Sequence, residues 1–407
     1  MPYMRSISIV IGIGTGSRYE EKDYQGISHL IEHMLFKGTK KRGNTLEISR
    51  MVEGMGGAIN ASTSEENTFL YVKVPFEVFE PAFDVLADIM LNSLMRDEDL
   101  QREKVVIIEE IRKSKDTPEE LVGLLLDKLM WKNHPLGRGI LGDEKSVKAI
   151  SREKLMTHIE TYYRPNNMVI SVAGKVKEEK VISKAKKYFG EIESNPIRKY
   201  LPFKEVQQAH RINIKSKKTN QAHVCFGFPA ISRVHPDRYA LDLLDIILGS
   251  GLSSRLFQEI REKRSLAYDV HSYIQYFGDT GSFNIYAGVD STRVKESIKV
   301  ILSELKKLRE NDVSCAELTK AKEMYKGALS LNMESTLNHA FWLGSRLLLH
   351  GKAFTEREIV EKVEKVEIKD IMEAAQKIFT EKRVNLSIIG PYKERDYNEL
   401  DNLIKGF

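Results

Sequence analysis

A segment that returns in altered form about 216 residues later constrains this chain more than any other feature, because a duplicated chain must fold as two related units. The stretch "EKLMTHIETYYRPNNMVISVAGKV" (153–176) has the rhythm of "IKDIMEAAQKIFTEKRVNLSIIGPY" (368–392). Under that offset Leu155 matches Ile371, Tyr163 matches Phe379, Ser171 matches Ser387 and Gly174 matches Gly390. Each copy reads as an amphipathic helix, a turn and a strand closed by glycine. Upstream, "VLADIML" (85–91) lines up with "ILSELKK" (301–307), and a long charged helix follows each, over 97–115 and 314–331.

The expected fold class is α+β, with two homologous αβ halves, each an antiparallel-rich sheet flanked by helices. A length of 407 residues suits two halves, since single cores stop growing at about 250–300 residues. Between them "EIESNPIRKYLPFKEVQQAH" (191–210) has two prolines, mixed charge and no sustained period, which suits a connection. The predicted division is therefore 1–190, a linker at 191–206, and 207–407. One asymmetry stands out: the second half opens with "RINIKS" (211–216) before "AHVCFGFP" (222–229), whereas the first begins at once with "MRSISIVIGIG". The first half is expected to have one edge strand fewer, as if the chain started late.

Composition excludes several classes. No apolar run approaches the roughly 20 residues a membrane helix needs, and the start lacks the pattern of a secretory signal, so a cytoplasmic protein without membrane association is expected. The net charge of +5 is spread over mixed Lys/Glu helices, which argues against nucleic acid as a partner. Two cysteines, Cys225 and Cys315, are too few for a thiolate zinc site, so any metal must be held by His and carboxylate.

Such a set exists in "GISHLIEHMLFKGT" (26–39). On a helix His29, Glu32 and His33 fall at roughly 0°, 300° and 40°, close enough for two imidazoles to share an ion. The helix is otherwise apolar, so this face is expected to be buried, where unsatisfied polar groups are expensive. A third ligand is needed, and "DEDLQREKVVIIEEIRKSKD" (97–116) offers one. Leu100, Ile107, Ile108 and Ile111 define its apolar face; Glu110 lies at the border of that face, in line with Glu103, and Glu109 points about 100° further round. Glu110 is the better ligand, and Glu103 suits a partner that orients a histidine.

His-x-x-Glu-His is the inverted zincin signature, and the glutamate 77 positions beyond the second histidine resembles the pitrilysin or insulinase-type metallopeptidases. More closely, "HLIEHMLFKGTKKR", "GGAINASTSEENTFLYV", "HPLGRGILG" and "SSRLFQEIREKRSLAYDV" resemble bacterial relatives of the mitochondrial processing peptidase β subunit. The resemblance covers essentially the whole chain. It implies a Zn2+ ion on His29, His33 and Glu110, a general base at Glu32, and the family's helix carboxylate at Glu103. It also implies an Arg and Tyr that grip substrate and support the transition state, which fall on Arg261 and Tyr268. The implied fold closes its two halves like a clamshell over the peptide, with ligands in the first half only: "ALDLLDIILGSG" is apolar, and the match to Glu110 falls near Ala328.

A strand over 58–72 could pair with an extended peptide substrate through its backbone, with Asn60 and Ala61 as contact candidates. Processing peptidases read an arginine through acidic residues on the next helix; Glu120 matches one, but Leu124 stands where a second would be. The family's glycine-rich loop is reduced to "LGSGLSSRLF" (248–257), which favours a self-sufficient homodimer. The competing expectation is a non-catalytic assembly subunit of the same superfamily, a class that usually loses ligands.

Overall fold

The computed structural model describes residues 1–311 and 313–407, and they form two compact units. The first comprises Met1–Lys113, Arg138–Leu201 and Ser330–Phe354; the second comprises Ser114–Gly137, Pro202–Leu329 and Thr355–Phe407. The compact units thus differ from the contiguous blocks 1–190 and 207–407 read from the repeat, because two helical segments belong with the other block. Their apolar faces give the reason. Val122, Leu126 and Met130 of the helix Pro118–Met130 are buried with Trp131, Cys225, Phe277 and Ile389 in the core of the second unit. Ala340 of the helix Thr336–His350 is buried with Val10, Phe69 and Ala173 of the first, and the Thr336 hydroxyl lies 3.0 and 2.9 Å from those of Ser6 and Ser8. Residues 191–210 form no helix or strand.

The first unit holds a four-stranded antiparallel sheet of β1 (Ser6–Ile13), β2 (Ala58–Thr63), β3 (Thr68–Pro75) and β4 (Met168–Gly174), in the order β2-β3-β1-β4. Central β1 is buried at seven of its eight positions, which its near-continuous "SISIVIGI" run anticipates for a strand covered on both faces. The single strand expected over 58–72 is a hairpin. Ser64, Glu65, Glu66 and Asn67 turn the chain, with Ser64 N–H donating to Asn67 O at 2.8 Å, so β2 lies at the sheet edge.

The second unit holds β5 (Arg211–Ser216), β6 (Gln221–Ala230), β7 (Ala267–Tyr276), β8 (Gly281–Asp290) and β9 (Asn385–Gly390), in the order β5-β9-β6-β8-β7. Only the β5–β9 pair is parallel. The repeat is visible in both units: the helices Arg152–Tyr162 and Ile368–Ile378 bury Leu155 and Ile371, and the strands that follow end at Gly174 and Gly390. β5 has no counterpart in the first sheet, which is the one-strand asymmetry expected from "RINIKS". Among the described residues no helix is long and apolar enough to cross a membrane.

Candidate active site

The helix Ile27–Leu35 carries the histidine cluster, and its placement starts one residue earlier. Gly26 has φ +89°, and a Cβ there would lie 2.5 Å from Leu141 O, so glycine alone fits. No side chain at Gly26 can cap the helix; the buried carboxylate of Glu20 does so from a distance. It accepts from Gly26 N–H at 2.7 Å and Ser28 N–H at 2.9 Å, so two N–H groups at the start of the helix that lack partners within it are satisfied. Burial pushes the Glu20 carboxyl up to about 7, against the opposing pull of the bonds from Ser28 and Gly26. Ile27, Leu30, Ile31, Met34 and Leu35 then sink into the core; burying Leu30 alone contributes about 1.5–3 kcal/mol.

The polar face differs from the expectation of burial. His29, Glu32 and His33 have side chains 14%, 14% and 19% exposed, so they sit at the rim of the core, reachable from solvent. The apolar face already supplies the anchoring, which leaves the polar face open. Across from it runs the helix Asp97–Asp116, whose Leu100, Ile107, Ile108 and Ile111 are buried as their spacing predicts. Glu110 faces the histidines: its Oε2 is 3.1 Å from His29 Nε2, and its Oε1 is 3.8 Å from His33 Nε2. Glu109 points away and pairs with Arg112 at 2.6 Å.

Ligand atoms of His29, His33 and Glu110 lie within 4.8 Å of one another, and no other such group of His, Cys, Asp or Glu occurs among the described residues. His33 Nδ1–H donates to Glu103 Oε2 at 3.0 Å, which leaves Nε2 with its lone pair turned to Glu110. Glu103 is itself held by Lys37 Nζ, 2.7 Å from its Oε1. Burial works against a proton on His29, but Glu32 and Glu110 outweigh it and raise its pKa. The field that draws a proton there would draw a cation. Two imidazole nitrogens, one carboxylate and a locked histidine tautomer are the donor set and support that zinc takes in catalytic sites, so the residues fit that ion.

Glu32 does not join this triangle. Its Oε2 accepts from the Thr63 hydroxyl at 2.5 Å and stands 3.6 Å from His29 Nδ1. Burial would raise its pKa, but the attraction of His29 and Thr63 prevails and the carboxyl is held below its usual range.

The sequence singled out other residues that the structure places as follows. Asn60 and Ala61 lie on edge strand β2, paired with Tyr71 and Leu70 on one side only; Ala61 N–H donates to the Asn60 side-chain oxygen at 2.8 Å. Glu120, Arg261 and Tyr268 belong to the second unit. Glu120 is exposed on the first turn of Pro118–Met130. Arg261 sits in a π-helical turn, Phe257–Glu262, with its guanidinium 4.6 Å from the Tyr268 ring centre and its Nη1 donating to Tyr268 O at 3.0 Å. Tyr268 is 74% exposed and borders a cavity of about 610 Å³ with Gln221, Ser265 and Asp290. Sequence reasoning missed Glu20, Lys37 and Thr63. Lys37 had a signal, one turn after His33; the other two had none, since their contacts come from loop and strand packing.

A duplicated α+β chain of which one unit carries a His-x-x-Glu-His helix faced by a glutamate defines a class, and comparison with known proteins agrees with it. The family model described as Insulinase (Peptidase family M16) matches residues 2–144, and that described as Peptidase M16 inactive domain matches 149–325. A Bacillus subtilis protein, called the uncharacterized zinc protease YmxG, is 37% identical over 391 residues, covering 96% of this chain and 94% of its own. A Rickettsia felis protein, also called an uncharacterized zinc protease, is 34% identical over 398 residues, covering 98% and 95%. The crystal structure of a protease from Helicobacter pylori has the same fold, with a TM-score of 0.90, 24% identity and 96% of each chain covered. The chain belongs to the insulinase family of peptidases, peptidase family M16.

Proposed function

We propose that the chain is a zinc-dependent endopeptidase acting on short or unfolded peptides. The observation that carries this reading is the convergence of His29, His33 and Glu110 with Glu32 beside them and outside the ligand triangle. Zinc held there would supply Lewis acidity to the scissile carbonyl and to water, whose pKa such ions lower to about 7. Glu32 takes a proton from the attacking water and returns it to the leaving amine, a role that its position on the ligand helix, outside the ligand triangle, suits. Glu103 keeps His33 in the tautomer that offers Nε2, and Lys37, 2.7 Å from Glu103 Oε1, holds Glu103 in place.

The free edge of β2 suits an extended peptide, which would bind through backbone hydrogen bonds with little sequence demand. Ala61 N–H, now satisfied by the Asn60 side chain, is a donor such a peptide could take over. Arg261 and Tyr268 are proposed to hold the substrate and support the transition state, and Glu120 to bias which peptides are accepted; both roles rest on the family likeness. A cytoplasmic homodimer is the proposed working form. Cys225 and Cys315 are both free, which suits a reducing compartment.

The test is zinc content and peptide cleavage for the parent protein and Glu32→Gln. The parent should bind one zinc per chain and cleave unstructured peptides, and Glu32→Gln should keep the zinc and lose nearly all turnover. A variant with full activity removes the base, and a parent that binds no zinc removes the enzyme reading.

A further inference from the structure

Glu32 has a flexible side chain that must be held in one place to act on a proton, and the structure shows what holds it. Thr63, the last residue of β2, donates its hydroxyl to Glu32 Oε2 at 2.5 Å. The same oxygen stands 3.6 Å from His29 Nδ1, too far for a hydrogen bond but near enough to become one by a small rotation. The two groups therefore compete for one carboxylate oxygen, and the threonine has it.

The donor is itself rigidly placed. Thr63 is β-branched, so its χ1 has few options, and it pairs in register with Thr68 of β3. Thr68 is fully buried, and its hydroxyl donates to Thr15 O at 3.0 Å, so the end of the hairpin is fastened to the chain that leaves β1. With the Thr63 hydroxyl removed, the imidazole of His29, a proposed zinc ligand, still stands 3.6 Å from Glu32 Oε2 and can take its place.

We propose that Thr63 is a positioning residue for Glu32: its hydroxyl keeps the base carboxylate off His29 and poised for proton transfer. Two consequences follow. The base stays available instead of being absorbed into an ion pair with a ligand, and His29 keeps the ring orientation that turns Nε2 to Glu110. Thr63 also lies two residues beyond Ala61 on the edge strand proposed to take the peptide, so the strand that receives substrate is the strand that sets the base. This inference rests on the peptidase reading for its effect on turnover, but its geometric claim can be tested without it.

The experiment compares Thr63→Val, which keeps the shape and removes the donor, with Thr63→Ser, which keeps the donor. Steady-state cleavage of an unstructured fluorogenic peptide, zinc per chain and a crystal structure of each variant are measured. Thr63→Val should keep its zinc and its KM while kcat falls about 10–100-fold, the range expected when a general base is misplaced. Its Glu32 carboxylate should close from 3.6 Å to hydrogen-bond distance on His29 Nδ1, and Thr63→Ser should restore both kcat and the original carboxylate position. Unchanged kcat in Thr63→Val, a carboxylate that stays where it is, or loss of zinc together with a raised KM would each overturn the proposal. A zinc-bound parent without peptidase activity would sink the functional reading alone, because the carboxylate position still reports on Thr63.

Discussion

Gly26 offers a sharp test of how the chain places its histidine helix, because Gly351 provides an internal control in the same unit. Both have positive φ, +89° and +67°, a region that disfavours alanine by about 1–2 kcal/mol. They differ in space: a Cβ at Gly351 meets nothing within 4 Å, whereas one at Gly26 would stand 2.5 Å from Leu141 O and 3.0 Å from Leu141 C. Relieving that overlap means moving backbone, an overpacking cost of about 1–3 kcal/mol added to the dihedral strain. Gly351→Ala should therefore lower stability by about 1–2 kcal/mol and Gly26→Ala by about 2–5 kcal/mol. For a unit of this size each kcal/mol moves Tm by about 2–4 °C, so Gly26→Ala should melt about 2–12 °C below Gly351→Ala. Melting is followed by circular dichroism with metal chelated, so that ion binding adds nothing to the difference. Zinc titration supplies the second readout: Gly26 N–H is held by Glu20 and His29 is three residues away, so only Gly26→Ala should weaken zinc binding. Equal melting points and equal zinc affinity for the two variants would refute the reasoning.

The carboxylate of Glu20 should make stability depend on pH. Its folded pKa is raised to about 7 from an ordinary 4.5, so between these values the native protein holds a proton that the unfolded chain has released. That contribution, on the order of 3 kcal/mol, is fully present below about pH 4.5 and is lost as pH rises through 7. Urea midpoints at pH 5 and pH 8 should converge in Glu20→Gln relative to the parent, and an unchanged gap would show that Glu20 does not carry the dependence. Glu103→Gln removes the charge that pairs with Lys37 and accepts from His33 Nδ1–H, and it should weaken zinc binding about 10–100-fold in competition with a chromophoric chelator. Unaltered affinity would mean that Glu103 does not orient His33.

The amino-acid sequence alone determined the features that depend on local periodicity. The spacing of His29, Glu32 and His33 puts them on one helical face whatever surrounds the helix, and the apolar spacing of Leu100, Ile107, Ile108 and Ile111 already separates Glu110 from Glu109. The repeat likewise announces itself in chain order, down to the strand by which the two sheets differ. Tertiary structure decided what joins distant segments. The donation from Thr63 to Glu32 spans 31 positions and depends on how a hairpin end packs beside a helix, for which no local pattern stands. Glu20 caps a helix it does not belong to, and Lys37 completes a chain of contacts through Glu103. The helices Pro118–Met130 and Thr336–His350 join the units they do because their apolar faces find cores outside their own repeat. Burial rewards contact wherever the chain permits it, and proximity along the sequence does not determine where that is.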